Sequence, residues 1–260
     1  MNYMINYAVH CMRGHVRSQN QDNFWCAGKY LDAENEGLDG GLSGLVESVG
    51  CPAFAVFDGM GGEQHGEMAA FLAAQAFDEH SGERTDKPPA EFLGQMCRQM
   101  NESICDYATK KRIASMGTTL ALVAFFPDAV YVANIGDSKI LWYSAATLVQ
   151  VSHDHVAKTD GPHKPPLTQH LGIPEAEFVI APHIAKGPYA EGDRYLIASD
   201  GLTDMVNEME IKEILNKHRH TDECVSVLVE KALENGGVDN ITVILCDVQR
   251  RRRWPHGRRG

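Results

Sequence analysis

Three aspartates, Asp58, Asp200 and Asp239, each sit at one end of a strand-like apolar run, in the segments AFAVFDGMGG, RYLIASDGLTD and GGVDNITVILCD. A carboxylate beside an apolar core is costly unless something positive meets it. Glycine directly after aspartate, as at Gly59 and Gly201, leaves room for close backbone approach. Carboxylates brought from distant parts of a chain to one edge of a β structure suit hard divalent cations, which take oxygen ligands. Each aspartate also has a plain structural reading, since Asp-Gly and Asp-Asn form turns and caps. The repeated strand-end setting favours ligation.

The elements that must position them follow from periodicity. Runs rich in β-branched and aromatic residues, bounded by turn residues, predict strands over 5–11, 23–27, 53–57, 118–126, 129–134, 140–143, 178–181, 194–198 and 241–247. The Gly-Asp stretch 135–139 suits a hairpin-like connection. Helical spacing predicts a pair over 66–80 and 90–112, then a second pair over 208–217 and 222–235. In that second pair Thr221 stands as N-cap and Gly236-Gly237 as a stop. Strands, two helices, strands, two helices and a strand suit sheets stacked face to face with helices outside. Segment 32–50, rich in glycine and acid, reads as a loop, and 152–175, with four prolines, as an irregular excursion.

At 260 residues the chain can bury a full core as one domain. No apolar run reaches the roughly 18–20 residues that span a bilayer. The opening MNYMINYAVHCMRGHVR has no apolar stretch ending in small residues, so no signal peptide and a cytoplasmic location are expected. Seven cysteines without a CxxC pair read as reduced packing residues. Net charge is −11, and six of the arginines fall in the last eleven residues, so the body is more acidic still. Such a body disfavours nucleic acid and repels phosphorylated partners unless cations reverse the sign locally.

Taken in order, the motifs RSQNQDNF (17–24), FAVFDGMGGEQHGEMAA (54–70), SMGTTLALV (115–123), VANIGDSKILWY (132–143), LIASDGLTDMV (196–206) and GGVDNITVILCDV (236–248) resemble the metal-dependent PP2C (PPM) protein serine/threonine phosphatases, bacterial type. The resemblance spans nearly the whole chain. It implies a four-layer α-β-β-α sandwich, two mainly antiparallel sheets flanked by helix pairs, over 1–248, with 152–175 as a shortened flap and 249–260 as a basic, disordered tail.

Carried over position by position, the resemblance makes Asp58 a bridge between two Mn²⁺ or Mg²⁺ ions, with Gly59 offering its carbonyl. Asp200 and Asp239 complete the ligands, Asp22 acts through water, and Asp137 matches the ligand of a weaker third metal. Arg17 matches the arginine that grips the substrate phosphate as a bidentate fork. Paired cations lower the pKa of a water that attacks phosphorus in line, so no protein nucleophile is required. Phosphorylated proteins are the implied substrates, with a serine/threonine kinase as the opposing partner.

The chain departs from the family pattern in places. Met60 stands where many members carry a histidine proposed as general acid, and His65 reads as an ordinary helix-start residue. Gln21 replaces a glutamate beside Asp22, and Lys139 replaces an arginine. Histidines 153, 155, 163 and 170 fit no zinc spacing and read as solvated loop residues. Two rivals stay open: a non-catalytic binding module, and a cysteine-dependent phosphatase, because residues 10–18 fit HCxxGxxR[ST], with Cys11 as nucleophile and Arg17 as phosphate cradle.

Overall fold

Side-chain alternation in the strands decides the architecture. The computed structural model describes residues 3–60, 65–82, 87–159, 161 and 164–251. In chain order its strands are β1 (Tyr3–Met12), β2 (Asp22–Cys26), β3 (Leu42–Glu47), β4 (Ala53–Met60), β5 (Gly117–Thr118), β6 (Leu120–Phe125), β7 (Val130–Ile135), β8 (Lys139–Ser144), β9 (Thr147–Gln150), β10 (His183–Gly187), β11 (Arg194–Ala198) and β12 (Ile241–Arg250). Its α-helices are α1 (Gly66–Ser81), α2 (Pro89–Lys111), α3 (Asp200–Thr203), α4 (Glu208–Lys217) and α5 (Thr221–Glu234). The strands form two antiparallel sheets, ordered β3-β1-β12-β11-β8-β9 and β10-β7-β6-β4-β2, with β5 paired to β4.

Because successive strand residues face opposite sides, each sheet serves two cores. Ile5, Tyr7, Val9 and Cys11 of β1, Phe24 and Cys26 of β2, Phe54 and Val56 of β4, Tyr195 and Ile197 of β11, and Ile244 and Cys246 of β12 pack between the sheets. The alternate residues Trp25, Ala55, Phe57 and Leu122 face α1 and α2, where Ala69, Ala73, Phe77, Met96, Met100 and Ile104 meet them. On the other outer face Leu196, Ala198, Val243 and Leu245 meet Leu202, Ile211, Leu215, Val225 and Leu228. The layers are therefore α-β-β-α, as the resemblance implies. Alanines on α1 let it approach α2 and the sheet closely, and Trp25 closes the gap edge-on against Phe77 at 4.9 Å.

Four local expectations are corrected. Residues 135–139 make no hairpin: β7 and β8 lie in different sheets, so Gly136, at φ +97°, carries the chain across the sandwich. The 178–181 run is not a strand, because the Gln169 side chain clasps both backbone groups of Ala181 at 2.9 Å, and β10 begins after Pro182. Within 32–50, β3 forms an edge strand on β1 whose Gly44 lies flat against the Tyr7 ring. Thr221 is the first helical residue of α5, with His220 as N-cap, and its hydroxyl donates to buried Asp247 at 2.7 Å. That carboxylate also takes Arg194 at 2.6 Å, and Arg194 donates on to the carbonyls of Leu215 and His218. One buried ion pair thus ties α4 and the start of α5 to β11 and β12. The 152–175 excursion is irregular, as expected. The tail expected from 249 does not begin there, since Gln249 and Arg250 of β12 pair with Met4 and Tyr3; residues from 252 onward and His163 lie outside the described residues.

Candidate metal centre

The same alternation that fills the space between the sheets delivers acid to one end of it. Asp22 shares the parity of Phe24 and Cys26, and Asp58 that of Phe54 and Val56, so both aim into the inter-sheet layer where β2 and β4 pair them opposite each other. Asp200 begins α3 immediately after β11, Asp239 precedes β12, and Asp137 lies in the crossover after β7. A cavity of about 320 Å³ is lined by Arg17, Gln21, Asp58, Gly59, Met60, Asp137, Lys164, Asp200 and Asp239. Asp22 lies buried beneath it.

The carboxylates disturb one another. Burial, then the charges of Asp200, Asp22, Asp137 and Asp239, hold the Asp58 carboxyl well above the ordinary range. Burial likewise pushes Asp22 up to about 7, although the Thr242 and Ser199 hydroxyls each donate to its Oδ2 at 2.7 Å. Burial also raises Asp200, against the pull of Lys164. Mutually repelling oxygen donors around a polar cavity form a donor set for hard divalent cations. The residues present fit such ions. Among the described residues no three His, Cys, Asp or Glu side chains close to the grip of a single ion. Two cations of the chain are paired with the carboxylates instead. Arg17 donates to Asp239 Oδ2 at 2.6 Å, while the Lys164 ammonium touches Asp200 and lies 3.1 Å from Asp137 and 3.2 Å from Asp204.

Backbone geometry explains the close packing here. A side chain on Gly59 would strike the carbonyl oxygens of Gly66 and Gln21 at 2.2 and 2.4 Å, and one on Gly201 would strike Asn240 O at 1.9 Å. The loop between β1 and β2 carries Arg17 and is pinned by Asn240, whose amide donates to Arg13 O and Gln19 O and accepts from Gln21 N, each at 2.9 Å. Asp58 N–H donates to Thr119 Oγ1, which in turn lies 2.7 Å from Ser138 Oγ. Thr119 therefore supports the Asp58 backbone. Gln21 donates to Glu67, and His65 caps α1 in the left-handed region. His155 and His170 are not free loop residues: Gly136 N–H donates to His155 Nδ1, and both rings are half-buried.

The structure brings together every predicted site residue: Arg17, Asp22, Asp58, Gly59, Asp137, Asp200 and Asp239. It adds Lys164, Asp204, Ser199, Thr242 and Asn240. Parity was the available signal for two of these. Thr242 lies in phase with Ile244 and Cys246, and Ser199 with Tyr195 and Ile197, so each polar group faces the inter-sheet layer and needs a partner there.

The family model described as protein phosphatase 2C matches residues 42–235. The chain belongs to the protein phosphatase 2C family. It is similar to the serine/threonine phosphatase stp of Listeria welshimeri, at 31% identity over 254 residues covering 90% of this chain and 92% of that one. In fold, this PP2C resembles the Mycobacterium tuberculosis serine/threonine phosphatase PstP/Ppp, with a TM-score of 0.78 at 26% identity, over 95% of this chain and 99% of that chain. A structure of the PstP catalytic domain in complex with two manganese ions superposes with a TM-score of 0.76, at the same identity and coverage.

The cysteine-dependent rival fails on the geometry. Cys11 lies inside β1, fully buried, and burial pushes its thiol up to about 12. A thiol so protonated is no nucleophile at neutral pH. Arg17 points to Asp239, and β1 leads through a loop to another strand rather than into a helix N-terminus.

Proposed function

We propose that this protein is a phosphatase that hydrolyses phosphoserine and phosphothreonine in proteins, with Mn²⁺ or Mg²⁺, and that it opposes a protein kinase in the cytoplasm. The observation that carries the reading is the gathering of Asp58, Asp137, Asp200 and Asp239 around one cavity with Arg17 at its mouth and Asp22 beneath. In this assignment Asp58, Gly59, Asp200 and Asp239 hold the ions, and Asp22 supports them from below. Bound divalent cations would supply Lewis acidity that activates water and neutralises the phosphoryl oxygens.

The chain's own groups do the rest. Arg17 keeps its guanidinium half exposed beside Asp239, so its remaining N–H groups can take two phosphate oxygens. Asn240 sets the height of the Arg17 loop. Met60 lines the cavity and offers no proton, so the leaving oxygen draws its proton from water rather than from this side chain. The phosphatase domain is assigned to 1–248 together with Gln249 and Arg250, which complete β12, with 152–175 as the flap and the remaining basic segment as a tail. Chelator and Mn²⁺ titration of turnover on para-nitrophenyl phosphate and on phosphothreonine peptides tests the reading. Turnover should vanish with chelator and return with Mn²⁺. Absence of turnover with the ions bound would favour the binding-module alternative.

A further inference from the structure

The flap places a lysine where the family pattern leads one to expect an ion. The neck of the flap is a short antiparallel bridge, Val156 against Leu167, closed by Ala157 N to Pro166 O at 2.9 Å and Thr168 N to His155 O at 2.8 Å. His155 also accepts from Gly136 N–H, which anchors this neck on the crossover that bears Asp137. From the neck Lys164 reaches across the cavity rim. Its ammonium meets Asp200, Asp137 at 3.1 Å and Asp204 at 3.2 Å.

Asp204 matters because it lies one helical turn after Asp200 and faces the same ammonium. If Asp58, Asp200 and Asp239 turn towards a pair of ions, Asp200 leaves Lys164, yet Asp137 and Asp204 still hold the ammonium between them. Placing a divalent ion beside Asp137 would bring it against that cation, and like charges at this range repel. Arg17 pairs with Asp239, so the two chain cations meet different carboxylates of the cavity.

We infer that Lys164 is a built-in cation on the Asp137 side of the cavity, standing in for a third divalent ion, so that the protein binds two ions per chain. The inference rests on the proposed metal centre and assigns Lys164 as a positioning residue for its carboxylates. Flap sequence thereby sets metal stoichiometry.

The test counts ions bound by the full chain, using equilibrium dialysis against millimolar Mn²⁺ followed by elemental analysis. The wild type should bind two per chain and Lys164→Arg should also bind two. Lys164→Ala and Lys164→Met should each bind three, and adding Asp137→Ala to Lys164→Ala should return the count to two. Three ions in the wild type, or two in both neutral variants, would overturn the role of Lys164 while leaving the metal centre intact. Fewer than two in every variant would overturn the metal centre itself.

Discussion

At the residue scale, the site is a contest between carboxylate repulsion and the cations that relieve it. Asp58→Asn removes the carboxylate most surrounded by others. We expect kcat to fall by at least about 10³, with folding preserved by circular dichroism, because the acidity supplied to water depends on the ions this group holds. Wild-type turnover in Asp58→Asn would refute the ligand assignment. Arg17→Ala loses a charge-assisted fork worth about 1.5–3 kcal/mol, so kcat/KM should fall about 10- to 150-fold, chiefly through KM. Steady-state kinetics on a phosphopeptide separates the two parameters. Thr242→Val keeps the shape but removes one of the hydroxyls on Asp22. Isothermal titration should show Mn²⁺ binding weakened about 10- to 100-fold, the usual cost of losing a group that orients a metal-binding residue.

At the element scale, the site exists because four strand ends and two tight glycines meet. Gly201→Ala would drive a methyl into Asn240 O, only 1.9 Å from its ideal position. We expect destabilisation of about 1–3 kcal/mol, measured by the urea midpoint, and a displaced Arg17 loop, since Asn240 pins it. Much of this was legible in the sequence. The strands that carry or adjoin Asp22, Asp58, Asp200 and Asp239 are apolar runs, aromatic in β2 and β4 and β-branched in β12, and helices α1, α2, α4 and α5 have clear apolar faces. The edge strands β3 and β9 were not legible, because half-exposed strands carry little apolar contrast and β3 is interrupted by Gly44. Nor could local sequence reveal that 135–139 changes sheets: a Gly-Asp turn looks alike whether it returns the chain or carries it across. Lys164 was hidden for a similar reason. It lies among prolines in an irregular segment, and its partners are 27, 36 and 40 residues away in the chain.

At the scale of the whole molecule, proton and metal binding are linked to stability. Burial pushes the Asp22 carboxyl from its ordinary 3.8 up to about 7, and raises Asp58 as well. The folded chain therefore holds more protons than the unfolded chain between about pH 4 and 7. Stability from these groups is greatest at the acidic end of that window and falls as the pH rises through it. His10 and His155, lowered chiefly by burial, pull the other way in this window, so the effect is read against Asp22→Asn. In chelator, the melting temperature should fall more, or rise less, between pH 5.5 and 7.5 in the wild type than in Asp22→Asn, and identical profiles would contradict the assignment. Metal reverses the trend, because ligands must lose their protons to bind it, so Mn²⁺ affinity should rise with pH over the same range. At neutral pH, Mn²⁺ at about 100 times its dissociation constant should raise the melting temperature by roughly 5–10 °C.

The most direct test of the central claim is anomalous diffraction from a crystal soaked in Mn²⁺. Two peaks are expected inside the cavity, ligated by Asp58, Gly59, Asp200 and Asp239, with Lys164 turned to Asp137 and Asp204. An empty cavity at saturating Mn²⁺, or peaks elsewhere on the acidic surface, would contradict it.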